Sequence, residues 1–319
     1  MEYEEFIKRM KEAVWELCPD CDKVAVTRLM KNNSVELDGL LVVRKGAGIA
    51  LTVCLNEYYE KYLEGFDIVG LAKEIALISH EMPFAKDFQA AKYYDFGYVM
   101  DKILYKLVNT QRNGIMLERI PHRDFIDLSV VYYFCASSEN GKEVTVEPIQ
   151  YFHMNQWGIN EEELYRLASI NMKRIFPTVI KKMSEILDEL FYGGLNGNNV
   201  LGGCHAAAED GFEEADGMDM DNIMYVASNS KRTFGAASML DSEALRDFAE
   251  KNGAFYIIPS SVHEILLVPS DAGVDKEKLI EIVNDVNETQ ISFEEFLSDS
   301  VYWYEPADSS IVKINIIKS

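Results

Sequence analysis

An α+β fold, with antiparallel sheets packed against helices, is predicted by three features of this sequence. Short apolar runs come in pairs joined by turn residues, the pattern of neighbouring antiparallel strands. Helical periodicity comes in blocks instead of alternating with those runs, which argues against an alternating α/β chain. Of the 319 residues, 48% are hydrophobic, enough for a sizeable core and, by length, about two domains. The sheets expected are an N-terminal three-stranded meander, a central hairpin and a C-terminal mixed sheet.

In chain order, Phe6, Met10, Val14 and Leu17 recur every three to four residues and predict a first helix, stopped by Cys18-Pro-Asp-Cys21. Lys23–Met30, Val35–Val43 and Ile49–Leu55 predict the meander, with turns at Asn32-Asn33 and Gly46-Ala-Gly48. Asn56 is placed to cap a helix over Glu57–Glu64 ending at Gly65. Asp67 caps the next, with Ile68, Leu71, Ile75 and Ile78 inward and Pro83 as its stop. Phe96, Val99, Ile103 and Leu107 keep helical spacing and predict a third.

Ile115–Ile120 reads as a short strand. Leu128–Cys135 and Glu143–Ile149 form a hairpin through Asn140-Gly141, because a type I′ turn needs positive φ at both central residues. Asn160-Glu-Glu-Glu163 is a capping box that opens a helix, with Ile159 stapled to Leu164. Pro177 either kinks that helix or starts a fresh one over Thr178–Leu190. The stretch 193–222 is rich in Gly, Asp and Glu and has little periodicity, so it reads as a mobile surface segment.

Ile223–Ser228 predicts a strand, Phe234–Leu240 a strand or helix start, and Glu243–Lys251 a helix capped by Asp241 or Ser242. Phe255–Ile258 and Ile265–Val268, each ending at a proline, predict a tight strand pair around a surface turn. Asp275 starts a helix burying Leu279, Ile282, Val283 and Val286, and Ser292-Phe-Glu-Glu295 is a second capping box. Val301–Tyr304 and Ile311–Ile317 close the chain as a strand pair. Composition divides the chain into 1–110, 111–192, 193–222 and 223–319.

Net charge is −22, from 53 acidic and 31 basic residues. That balance repels phosphate backbones and excludes direct nucleic-acid binding through a broad basic surface. No apolar run reaches the roughly 18 residues of a membrane span. The acidic start Met1-Glu-Tyr-Glu-Glu5 does not read as a secretory signal. Five cysteines, at 18, 21, 54, 135 and 204, suit a reducing compartment, so the expected location is cytoplasmic.

Candidate chemistry concentrates at two places. Ser260, Ser261, His263 and Glu264 fill the turn of the 255–269 pair and carry the residue types of nucleophilic catalysis. Neighbours in one tight turn rarely meet as base and nucleophile, and there is no Gly-x-Ser-x-Gly elbow. Arg119, His122, Arg123, Asp124 and Asp127 form a charged patch. Asp127, between Ile126 and Leu128, needs a partner if buried, and Arg119 or Arg123 is expected to supply it. Cys18 and Cys21 have zinc-type spacing without a second pair, although Cys204-His205 could complete a set. Asp216, Asp219 and Asp221 lack EF-hand order. His80-Glu81 and His263-Glu264 lack the second histidine of a zinc protease helix. No metal and no cofactor is expected.

Several blocks resemble a family of bacterial proteins of unknown function, common in gut clostridia. They include Leu37-Asp-Gly-Leu40, Leu55-Asn-Glu-Tyr-Tyr-Glu-Lys-Tyr62, Phe125-Ile-Asp-Leu-Ser-Val-Val-Tyr132, Trp157-Gly-Ile159 and Gly235-Ala-Ala237. Pro259-Ser-Ser-Val-His-Glu264 and Leu297-Ser-Asp-Ser-Val-Tyr302 are further matches, the former the most specific. The resemblance spans nearly the whole chain. It implies an intracellular bacterial protein and carries no activity, cofactor or catalytic residue. The 193–222 stretch and the Cys-Pro-Asp-Cys turn depart from its pattern.

The function expected is therefore a cytoplasmic binding or protein-interaction role without intrinsic catalysis. The candidate binding residues are Ser260, Ser261, His263, Glu264, Asp127 and Arg123. The partner is an unknown protein or small molecule, not nucleic acid or membrane. The alternative is a hydrolase using the Ser260–Glu264 turn.

Overall fold

Phe6, Met10 and Val14 form the buried stripe of helix α1 (Tyr3–Leu17), as their spacing requires. The computed structural model describes residues 1–46, 50–81, 94–137, 143–192, 223–289 and 291–314. The turn at Gly46-Ala-Gly48, the stop at Pro83, the Asn140-Gly141 turn, the 193–222 stretch and residues 315–317 fall partly or wholly outside the described residues. So do Cys204-His205 and the Asp216–Asp221 triplet within that stretch. The chain divides into two compact units, Met1–Val99 and Met100–Ser319.

In the first unit, β1 (Cys21–Met30), β2 (Glu36–Arg44) and β3 (Ala50–Cys54) form the expected antiparallel meander in that order. Asn33, at φ 59, makes the β1–β2 turn. Two helices follow, α2 (Leu55–Leu63) and α3 (Ile68–Glu81). Asn56 does not cap α2. It lies inside the first turn, and its Oδ1 accepts from the Asp38 amide at 3.1 Å. Leu40, Val42, Leu55, Leu71 and Ile75 join the α1 stripe in one core.

The Cys18-Pro-Asp-Cys21 turn has a structural task. Asp20 accepts from Arg44 Nε at 3.0 Å, and Arg44 Nη1 donates to the carbonyls of Ser79 and His80. A cation thereby meets the carbonyl end of α3, where the helix dipole favours it. His80 Nε2 also stands 3.7 Å from Asp20.

The first unit ends with α4 (Phe96–Val99), and the second opens with β4 (Ile103–Asn109). The helical spacing through Ile103 and Leu107 is therefore misleading. Ile103, Leu104 and Tyr105 are buried in succession, which a strand covered on both faces allows. Residues 115–120 do not form a strand either. They enter α5 (Gly114–Leu117), burying Leu117 and Ile120 three residues apart. Then β5 (His122–Phe125), β6 (Leu128–Ser137) and β7 (Glu143–Pro148) complete a second antiparallel sheet. β4 lies on one edge of β6, and β5 and β7 pair with the other.

Next come α6 (Tyr151–Trp157) and α7 (Glu161–Ile175), the latter capped by Asn160 Oδ1 on the Glu163 amide at 2.9 Å. Glu163 does not reach back; it pairs with Arg166. Asn171 Nδ2 anchors α7 on the carbonyls of Met100 and Ile103. After Pro177 the chain is a strand, β8 (Thr178–Lys182), not the start of a helix. Thr178, Val179 and Ile180 are β-branched and fit a pleated surface better than a helical turn.

The helix begins only at α8 (Met183–Tyr192). β9 (Tyr225–Asn229) is followed by a 3₁₀ segment at Gly235–Leu240 and α9 (Ser242–Asn252), capped by Asp241 on the Ala244 amide. β10 (Phe255–Ser261) and β11 (Glu264–Pro269) are the expected pair, registered Phe255↔Pro269 through Ile258↔Leu266. Pro259 sits where that register breaks, a position that spares the ladder its missing N–H.

α10 (Lys276–Thr289) buries Leu279 and Val283. The side chains of Leu190, Ile282 and Val286 lie outside the described residues. Ser292–Glu295 makes a single turn rather than a helix, with the Phe296 amide bonded to the Ser292 carbonyl. β12 (Tyr302–Glu305) and β13 (Ser310–Lys313) close the third sheet, ordered β13-β12-β10-β11-β9-β8. One face of that sheet presents Val226, Ile258, Leu266 and Val268 to Met183 and Ile186 of α8 and Leu279 and Val283 of α10. The other presents Phe255 to Phe248 of α9, ring centres 4.9 Å apart.

Candidate functional site

The 259–264 corner is a strand turn, but under cover rather than at the surface. Ser261 is 0% and Glu264 2% exposed, and Val262 is buried. Among the described side chains of this corner, His263 alone keeps part of its surface in solvent, 26%. The side chain of Ser260 lies outside the described residues. The segment after β9 closes over this turn. Ser228 Oγ donates to the His263 carbonyl at 2.7 Å, and the Ala236 amide to the Val262 carbonyl at 3.3 Å.

The imidazole of His263 is held at both nitrogens. Nδ1 accepts from the Phe234 amide at 3.3 Å, which places the ring hydrogen on Nε2, 3.6 Å from Glu295 Oε1. That contact holds the Glu295 carboxyl below its ordinary pKa against the upward push of burial. The ring also lies parallel to Phe234, centres 6.0 Å apart. Ser261 Oγ meets the His263 backbone amide at 3.1 Å, not the ring. No base–nucleophile bond joins Ser261 and His263.

Asp127 and Arg123 belong to separate clusters. The partner expected for Asp127 was Arg119 or Arg123; the structure supplies neither. Asp127 accepts from Lys313 Nζ at 2.7 Å, Tyr302 Oη at 2.5 Å and Ser300 Oγ at 3.0 Å. Burial pushes its pKa up, but these donors outweigh burial and hold it below the ordinary value. Arg123 instead forms a fork with Glu161, at 3.1 and 2.9 Å, and lies 4.0 Å over the Tyr165 ring. Tyr132 Oη donates to the same Glu161 carboxylate. β5 pairs with β6 just where these side chains leave the sheet, so the charged patch is a structural edge.

A cavity of about 200 Å³ lies between α7, the end of β9 and the 3₁₀ segment. Tyr105, Tyr165, Met172 and Phe176 give it an apolar wall, and Tyr105 and Tyr165 are stacked at 5.9 Å. Hydroxyls of Ser169, Thr178, Ser228 and Ser238 face them, with Asp241 and Lys173 at the rim. Asp241 is fixed by three neighbours: it caps α9, accepts from Thr178 Oγ1 at 2.8 Å and stands 3.9 Å from Lys173 Nζ. Burial lifts the Tyr105 phenol above its ordinary pKa.

None of the six sequence-level candidates lines this cavity. Two touch its walls from behind: His263 through Ser228, and Arg123 through Tyr165. The lining residues are spread from 105 to 242, so no local motif announces them. The nearest sequence signal is Asp241 before a helix, which reads as a cap and is one.

Cys18, Cys21 and Cys54 are buried free thiols. Burial, then Cys18 beside it, pushes the Cys21 thiol up to about 12. Among the described residues no three His, Cys, Asp or Glu side chains are grouped to hold a metal ion, and no helix is long and apolar enough to cross a membrane.

The model of a family of unknown function (DUF5688) matches residues 3–306. No curated protein and no solved structure matches the chain.

Proposed function

We propose that this chain, which belongs to the family of unknown function DUF5688, is a cytoplasmic binding protein that holds a small molecule without altering it. The observation that carries this reading is the cavity beside α7, with aromatic rings on one wall and hydroxyls on the other. Such a mix of apolar surface and few fixed polar groups is what small-molecule sites present. Its volume, about 200 Å³, falls below the roughly 300–1,000 Å³ of sites for drug-sized ligands. The ligand is therefore of metabolite size.

His263 supports binding over hydrolysis, because both ring nitrogens already have partners and neither faces Ser261. The free thiols suit a reducing compartment. Thermal-shift screening of the purified protein against a panel of small metabolites tests the reading, with Ser169→Leu as the cavity-filled control. Leucine suits the helix and removes a back-bond to the Tyr165 carbonyl that helices do not need. Compounds that raise the melting temperature of the wild type and not of Ser169→Leu support it. A panel with no such compound, or turnover of any that bind, counts against it.

A further inference from the structure

From the direction of the hydroxyl hydrogens around the cavity, we infer that its ligand is a small organic cation, an ammonium or amidinium on a flat apolar body. The inference rests on the binding role proposed above and specifies the class of ligand.

A serine or threonine hydroxyl has one hydrogen and two lone pairs. Four of the lining hydroxyls spend their hydrogens on the protein. Ser169 gives its hydrogen to the Tyr165 carbonyl at 2.7 Å, and Ser228 to the His263 carbonyl at 2.7 Å. Thr178 donates to the Asp241 carboxylate at 2.8 Å, and Ser238 to the Ala227 carbonyl at 3.5 Å. None of these acceptors can donate in return.

What faces the cavity from these groups is lone pairs, beside the Asp241 carboxylate. The donors left are the Tyr165 and Ser242 hydroxyls, with little at the rim. Lys173 Nζ is held by Glu243 at 2.6 Å, and Asn229 has one amide hydrogen left after bonding the Thr233 carbonyl. A wall of acceptors stabilises a guest with several N–H groups and leaves the oxygens of an anion unpaired.

Charge agrees with this polarity. Lys173 and Arg246 balance Asp241 and Glu243 around the mouth, so no excess positive charge opposes a cation there, on a chain of net charge −22. The aromatic wall agrees as well. The Tyr165 ring already carries a guanidinium at 4.0 Å, and Lys231 Nζ stands 5.6 Å from the Phe176 ring. Tyrosine and phenylalanine rings of the lining thus already meet cations.

Calorimetric titration of the full chain at low salt tests the class, using benzylammonium and benzamidinium as probes and benzoate and benzyl alcohol as shape-matched controls. The cations are expected to bind at least tenfold more tightly than either control. Asp241→Asn keeps an oxygen to cap α9 and removes the charge, and it should weaken the cations at least tenfold. Lys173→Met gives a readout that does not depend on Asp241. It removes the competing cation from an exposed position and should tighten benzylammonium several-fold, whereas at an anion site it would weaken benzoate.

Benzoate or benzyl alcohol binding as tightly as the cations would refute the cation class, and if Ser169→Leu abolished that binding, the cavity role would still stand. Cations that bind Asp241→Asn and Ser169→Leu as well as wild type would place their site elsewhere and overturn the inference. If none of the four probes binds, the cation class falls, while the metabolite panel decides the binding role separately.

Discussion

The carboxylate of Asp127 accepts the hydroxyl of Tyr302 at 2.5 Å, tying the β5–β6 turn to the strand that opens the terminal hairpin. Tyr302 is fully buried, and Ser300 and Lys313 close on the same carboxylate. Its ionised state is therefore part of how the second and third sheets join.

Asp127→Asn is expected to cost about 1–3 kcal/mol, because it leaves buried or charged donors without full acceptors. The folded carboxyl titrates below its ordinary range, so its contribution is complete above the unfolded value of about 4 and is lost as pH falls through the lower folded value. Urea titrations between about pH 6 and 2 should show wild type losing stability more steeply than Asp127→Asn. Parallel curves would mean the carboxylate does not act in this way.

The residue beside it carries strain. Ile126 has φ 62 in the same two-residue turn and is 45% exposed. A β-branched side chain in that region costs about 1–3 kcal/mol, which glycine does not incur. Allowing for the chain entropy of glycine, Ile126→Gly should stabilise by about 0.5–1.5 kcal/mol. A higher urea midpoint at unchanged slope is the sign to look for, and a lower midpoint would show the isoleucine packs better than its exposure implies.

Some of this architecture is legible in the residues and some is not. The 255–258 and 265–268 runs read correctly as strands because each is short, apolar throughout and closed by proline. Asn160 reads correctly as a cap, since its side chain acts on the next turn. Residues 103–109 and 178–182 mislead because gaps of three and four overlie runs of strand-forming side chains, and only pairing with β6 and β9 decides between them. The cavity is illegible for a different reason. Tyr105, Ser169, Ser228 and Asp241 have no sequence relation, and the chain brings them together only after α7, β9 and the 3₁₀ segment pack. Asp127 was legible as needing a partner, but a lysine 186 residues away could not be chosen over a nearby arginine.

Gly235 is where the segment after β9 passes closest to the His263 turn. A Cβ there would fall far inside contact distance of Ser228 Oγ and the His263 carbonyl, and 2.9 Å from Ser228 Cα. Backbone cannot yield as a side-chain tip can, so Gly235→Ala should cost about 3 kcal/mol. Thermal melts will measure it, and a loss below about 1 kcal/mol would mean the two segments are not pressed together.

His263 offers a test of positioning. Asparagine places an oxygen where Nδ1 accepts from the Phe234 amide, and alanine places nothing there. His263→Asn should therefore be more stable than His263→Ala by about 1 kcal/mol. Equal melting temperatures would show that the amide does not depend on the ring.

The thiols of Cys18 and Cys21 should resist alkylation in the native protein. The thiolate is the reactive form, and burial beside Cys18 lifts Cys21 to about 12, so little thiolate exists at pH 8. Both side chains are also closed to solvent, and Cys18 Sγ stands 3.7 Å from Ser79 Oγ. Peptide mapping after iodoacetamide treatment should find these two sites labelled on the order of 100-fold more slowly than in urea. Rapid native labelling of Cys21 would show that the Cys-Pro-Asp-Cys turn opens, and would return it to consideration as a reactive pair rather than the seat of the Asp20–Arg44 clasp on α3.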